Sequence, residues 1–165
     1  MTNDTQPRHF LSTEDWSAGE LRELLDRARE LKQSPLNRDL AGKTIALLFF
    51  NPSLRTRSSF EIGAYQMGAH AVVLEPGKSS WEMAFGEGEV MDGSAEEHAK
   101  EAAGVLSRYC DLIAVRSFPK FQDWSVDRED RVIAAFARHA TVPVINMETI
   151  VHPCQELAHA LALQE

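Results

Sequence analysis

Apolar positions along this chain fall into two kinds of run. Leu21, Leu24, Leu25, Ala28 and Leu31 recur at spacings of three and four, one face of a helix. The helix begins near Ser17, where Ser17, Ala18, Gly19 and Glu20 can form a capping box, and stops before Pro35, which cannot donate to the helical ladder. Four apolar runs follow, at 44–50, 71–74, 112–115 and 143–147. They are continuous rather than alternating, which predicts strands covered on both faces. Helical spacing returns between them. Phe60, Ala64 and Met67 mark a helix over 55–67. Ala102, Val105, Leu106 and Tyr109 mark one over 95–109, opened by the acidic residues Glu96 and Glu97. Val132, Ile133, Phe136 and Ala137 mark one over 126–139, and Leu157, Ala158, Leu161 and Ala162 mark a last one over 155–163.

Strands alternating with helices predict an α/β fold: a three-layer domain with a central four-stranded parallel sheet flanked by helices. Ligands of such sheets bind beyond the carboxyl ends of the strands. Residues 53–56 follow the first strand, 75–93 the second, 116–120 the third and 148–155 the fourth. The fold therefore gathers these four loops along one edge as a single candidate site.

The first of these loops passes from strand to helix through Asn51, Pro52, Ser53, Leu54, Arg55, Thr56 and Arg57. A helix start offers unpaired N–H groups and a positive dipole end, hydroxyls add donors, and arginine adds a planar fork, so the segment suits an anion such as phosphate. Ser53 as a simple helix cap, with the arginines on a solvated face, accounts for the same residues. Arg116 ends the third strand, where a guanidinium can bind an oxyanion or polarise a carbonyl; its alternative is a surface ion pair. His152 precedes a proline near a helix start and can donate to a developing oxyanion or act as a cap. Gln155 both donates and accepts, which suits a carbamoyl or carboxamide group, or it is an exposed helix residue. Cys154 lacks an evident activating partner and reads as packing. Glu148 follows the fourth strand and faces the site edge. The glycine-rich segment 77–88 reads as a lid, with Trp81 packing on a ligand, a neighbouring subunit or its own domain.

Composition narrows the choices. The 165 residues are 44% hydrophobic and 25% charged, which fits one ordinary globular domain. A net charge of -8 disfavours nucleic acid as a partner and leaves the arginines without a general basic bias to explain them. The two cysteines, Cys110 and Cys154, show no zinc-ligand spacing, so no metal site is expected; they read as reduced thiols of a cytoplasmic protein. No apolar run reaches the roughly 18 residues of a membrane span, so no membrane is expected as a partner, and residues 1–8 read as a polar tail.

Two motifs then coincide. Ser53-Leu54-Arg55-Thr56-Arg57 resembles the Ser-Thr-Arg-Thr-Arg phosphate motif of the aspartate/ornithine carbamoyltransferase family, and His152-Pro153-Cys154-Gln155 resembles its His-Pro-x-Gln motif. Leu54 in place of threonine, Trp81, the segments 118–121 and 146–150, and Glu96 resemble the branch that acts on N-acetyl-L-ornithine; the succinylornithine branch carries proline where Glu96 stands. The loop after Trp81 departs from the Trp-Pro pattern of that branch. The resemblance implies transfer of the carbamoyl group of carbamoyl phosphate to the δ-amine of N-acetyl-L-ornithine, giving N-acetyl-L-citrulline and phosphate in arginine biosynthesis, with no metal or organic cofactor. It implies that Ser53, Leu54, Arg55 and Thr56 hold the phosphate, with Trp81 reaching in from an adjacent subunit of a homotrimer. Arg116, His152 and Gln155 would be catalytic, and with Pro153 and Cys154 would complete the carbamoyl-phosphate site. Glu148 would contact acetylornithine and Glu96 would set acceptor specificity. Family members have two domains. Residues 9–150 resemble the carbamoyl-phosphate domain and 151–165 the start of the interdomain helix, with the second domain absent, so the isolated chain is expected to be inactive and its last helix to expose Leu157, Leu161 and Leu163. The rival readings are an ornithine or succinylornithine carbamoyltransferase, and a non-catalytic carbamoyl-phosphate-binding module.

Overall fold

The structure, a computed structural model, describes residues 7–165 apart from Glu87, so the tail expected over 1–8 lies outside the described residues except at Pro7 and Arg8. Arg8 is tied down: its guanidinium lies 3.7 Å from the centre of the Trp16 ring. Helix α1 spans Ala18–Gln33 and starts with the expected capping box, in which Ser17 Oγ accepts from the Glu20 amide at 3.3 Å and Glu20 Oε2 accepts from the Ser17 amide at 2.9 Å.

Strands β1 (Thr44–Phe49), β2 (His70–Leu74), β5 (Leu112–Arg116) and β6 (Val144–Glu148) form one parallel sheet in the order β2-β1-β5-β6. Two-sided cover explains the continuous apolar runs. Ile45, Leu47 and Phe49 of β1 pack on one face with Phe60 and Ala64 of helix α2 (Arg55–Gln66). Ala46 and Leu48 pack on the other with Ala102 and Ala103 of α3 (Ala99–Tyr109) and with Ile133 and Phe136 of α5 (Arg131–His139). Each large aliphatic side chain buried this way contributes about 1.5–3 kcal/mol, so both helical layers are bound firmly to the sheet. Edge strand β2 is only half buried.

Three expected elements are corrected. The helix of 95–109 begins later, at Ala99, because Glu97–His98 form a short strand β4 paired in parallel with β3 (Met83–Ala84). His98 then caps the helix, its Nδ1 accepting from the Lys100 amide at 3.1 Å, so Glu96 and Glu97 do not open it. The helix of 126–139 is two, α4 (Trp124–Asp127) and α5, broken at Asp130, whose φ of 44° no helix allows. The last helix, α6 (Pro153–Ala162), starts two residues earlier than expected, with Pro153 in the first turn, where a missing N–H costs nothing. It packs on β6 and against α1. That contact leaves Leu157 and Leu161 half buried, and of the three leucines expected to lose cover only Leu163 is exposed. Among the described residues no helix is long and apolar enough to cross a membrane.

Candidate active site

The sheet order reverses at β1: β2 lies on one side of it, β5 and β6 on the other. A crevice opens at such a reversal, beyond the carboxyl ends of the strands. The register aligns Phe49 with Arg116, and Arg116 with Glu148 across an irregularity in β5–β6 pairing. Main-chain bonds continue the alignment past the strands, from the Phe50 amide to the Arg116 carbonyl and from the Ser117 amide to the Glu148 carbonyl, both at 3.0 Å. Asn51 Oδ1 accepts from the Phe118 amide at 2.7 Å, tying the loop after β1 to the loop after β5.

A cavity of about 730 Å³ fills this crevice. Ser53, Leu54, Arg55 and Thr56 line it from the start of α2, Arg116 and Glu148 from the ends of β5 and β6, and His152, Cys154 and Gln155 from the start of α6. Two helix N-termini thus flank one space. The first turn of α2 holds no acidic residue, so nothing offsets its positive dipole end. Ser53 Oγ accepts from the Thr56 amide at 3.2 Å, so the capping role weighed for Ser53 is present alongside its place in the cavity. Leu54 is 82% exposed, and only its backbone has polar groups to offer a ligand. Arg57 points elsewhere, paired with Glu61 at 3.2 Å and Glu75 at 3.6 Å.

Arg116 is nearly buried. Its Nη1 donates to Thr56 Oγ1 at 3.2 Å and to Glu148 Oε2, its guanidinium stacks 4.5 Å from the Phe118 ring centre, and its Nε meets no acceptor. The surface ion pair weighed for this arginine is therefore excluded. His152 Nδ1 accepts from the Gln155 amide at 3.4 Å, which leaves the proton of the neutral ring on Nε2, 3.6 Å from Glu148 Oε2. Burial lowers the His152 pKa; Arg116 lowers it further, while Glu148 and Glu156 oppose the shift. The ring is thus a neutral donor facing the cavity. Burial pushes the Cys154 thiol up to about 11, and its Sγ donates to the Asn146 carbonyl at 3.5 Å, which favours packing over a nucleophilic role.

Three expected site residues stand apart. Pro153 is fully buried behind the cavity. Trp81, 60% exposed, lines a separate hollow of about 470 Å³ with Leu74, Lys78, Met83 and Leu106. Glu96 is exposed and lines neither. Of the four loops expected to converge, the one after β2 does not, because pairing of β3 with β4 draws it toward the start of α3. The tie between Asn51 and Phe118 was not legible, since the two stand far apart in the chain. Among the described residues no cluster of His, Cys, Asp or Glu could hold a metal.

A sequence profile of the carbamoyl-P binding domain of aspartate/ornithine carbamoyltransferases matches residues 8–165. The N-acetylornithine carbamoyltransferase of Xanthomonas campestris is 64% identical over 96% of this chain, and the ornithine carbamoyltransferase of Pelobacter propionicus is 39% identical over 96%. A crystal structure of acetylornithine transcarbamylase complexed with acetylcitrulline superposes with a TM-score of 0.94 at 64% identity, covering 95% of this chain and 47% of that one. The chain spans about half the length of the curated relatives it matches, 47% of the Xanthomonas protein. The α2 start, the strand-end arginine and the His-Pro-x-Gln turn meet in one crevice within the residues that the profile matches, and the chain belongs to the aspartate/ornithine carbamoyltransferase family, matching its carbamoyl-P binding domain.

Proposed function

We propose that this chain is the carbamoyl-phosphate half of a carbamoyltransferase that converts N-acetyl-L-ornithine to N-acetyl-L-citrulline. The observation that carries the reading is the single cavity joining the α2 start, Arg116, His152 and Gln155. Residues 9–150 form the carbamoyl-phosphate domain and 151–165 begin the helix toward a second domain. The acetylated acceptor is favoured over ornithine by 64% against 39% identity to the respective enzymes.

The phosphate sits at the start of α2, taking donors from the backbone and hydroxyls of Ser53 and Thr56 and charge from Arg55. Arg55 makes no ion pair among the described residues, so it is available. The carbonyl oxygen lies between Arg116 and the Nε2 proton of His152. Both donors are held in place before substrate arrives, and removing one such donor commonly costs about 3 kcal/mol of barrier. Gln155 accepts from the carbamoyl amino group. The neutral δ-amine attacks the carbonyl carbon, the C–O bond to phosphate breaks with its electron pair, and the proton lost by the amine leaves with phosphate. Glu148 steers the acceptor. Exposure of Trp81 beside a hollow away from its own cavity supports its use in a neighbour's site within a cytoplasmic homotrimer.

Calorimetric titration of the 165-residue polypeptide with carbamoyl phosphate tests the binding half: saturable binding is expected, with little or no acetylcitrulline formed when acetylornithine is added. A chain that binds no carbamoyl phosphate sinks the reading. A non-catalytic binding module is the second reading, because the α2 start, Arg116, His152 and Gln155 of one chain already share the cavity. Failure of a full-length protein carrying this half to make acetylcitrulline would decide in its favour.

A further inference from the structure

Asp130 departs from the rules that its position sets. It stands at the N-cap of α5, yet its carboxylate makes no capping bond, and its φ of 44° puts a side chain in the left-handed region. The carboxylate turns to the segment after β6 instead, accepting from the Thr149 hydroxyl. Thr149, 5% exposed, accepts from Asn146 Nδ2 at 2.9 Å, which commits its one hydroxyl proton to Asp130. The Asn146 amide also donates to the Leu11 carbonyl at 3.0 Å. One chain of hydrogen bonds therefore joins the α4–α5 break, the turn after β6, β6 itself and the segment at Leu11. The turn it grips, closed by the Thr149 amide on the Val151 carbonyl at 3.0 Å, lies between Glu148 and His152. Burial raises the Asp130 carboxyl above its usual value, so enclosure opposes its charge as the backbone opposes its conformation. Two opposing terms maintained at one residue that forgoes its local role point to a use elsewhere.

We propose that Asp130, acting through Thr149, is a positioning residue that holds the turn between Glu148 and His152 and so sets the separation of these two groups in the cavity. The proposal rests on the functional reading above only in the use made of that separation. Neither Asp130 nor Thr149 lines the cavity.

Thr149→Val removes the hydroxyl at nearly constant shape, and Thr149→Ser keeps it. Three quantities are read on the 165-residue chain. They are the titration midpoint of the His152 ring by NMR, amide exchange at Ile150 and His152 against Ile113 in β5, and carbamoyl phosphate affinity. The groups acting on His152 are Glu148, Arg116, Glu156 and His159, none of them altered. In Thr149→Val the midpoint is expected to rise toward the ordinary histidine value as the loosened turn admits water. Exchange at Ile150 and His152 should quicken about tenfold with Ile113 unchanged, and affinity should fall about tenfold. Thr149→Ser should restore all three. Asp130→Gly, which tolerates the same backbone and removes the acceptor, is expected to reproduce the Val result if Thr149→Val does not fold. An unchanged His152 midpoint, or exchange that quickens equally at Ile113 without rescue by serine, overturns the proposal. Absence of carbamoyl phosphate binding by the parent counts against the functional reading alone, and the His152 midpoint still decides the positioning role.

Discussion

Glu148 Oε2 lies in direct contact with Arg116 Nη1, so the cavity's buried cation is already matched by an anion of its own chain. The carbonyl oxygen of bound carbamoyl phosphate must share Arg116 with that carboxylate or displace it. Glu148 is 30% exposed, and a pair with one partly solvated member is worth only about 1 kcal/mol. Glu148→Gln is therefore expected to tighten carbamoyl phosphate binding roughly fivefold in calorimetry, while weakening acetylornithine use in a full-length protein. Weaker carbamoyl phosphate binding would show instead that Glu148 orients Arg116.

Acid should destabilise the fold through its histidines. Burial lowers the pKa of His152 and of His9 below the usual histidine value of about 6.5. The unfolded chain then binds more protons between the folded and unfolded pKa values, so the stabilising contribution is complete above about 6.5 and is lost as pH falls through the folded values. Asp130, with a raised carboxyl pKa, acts in the opposite sense at lower pH. Denaturant midpoints measured from pH 7.5 to 5 should decline, and His152→Gln should flatten the decline. An unchanged slope would mean that His152 hydrates freely in the folded chain.

Glu96 lies outside the cavity of its own chain, so any effect on acceptor choice must come through an approach that a single chain does not make. Glu96→Pro in a full-length protein carrying this half is expected to shift kcat/KM from acetylornithine toward succinylornithine. Equal ratios before and after would remove Glu96 from the specificity argument.

Trp81 faces its own hollow rather than the cavity that holds Arg116. If it completes a neighbour's site, full-length Trp81→Ala and Arg116→Ala proteins, each nearly inactive alone, should regain turnover when mixed and reassembled, because some cavities then receive both native groups. Mixtures as inactive as their components would place Trp81 outside any shared site.

The start of α1 and the possible cap at His152 were legible because their bonds are local. Ser17 meets Glu20, and His152 meets the Gln155 amide, within one turn. The breaks were not. Nothing in the run Val126 to His139 announces that Asp130 will take a left-handed backbone; the bond that holds it there comes from Thr149, in the turn after β6. Likewise the period of 95–109 fits a helix throughout, yet Glu97 and His98 pair with Met83 and Ala84. Local pattern sets what a segment can be, and a distant partner selects among the options.

By itself the sequence determined the alternation of strands and helices, the capping box of α1, and the chemistry at the strand ends, since these follow from apolar period and from side chains acting within a few positions. The strand order, and with it the placing of the cavity between β1 and β5, was decided only in three dimensions. So were the contact of Arg116 with Glu148, the packing of α6 on α1 that covers Leu157 and Leu161, and the departure of Trp81 from the cavity. Each depends on which nonpolar faces meet across long stretches of chain, and a period of two or 3.6 residues carries no information about that choice.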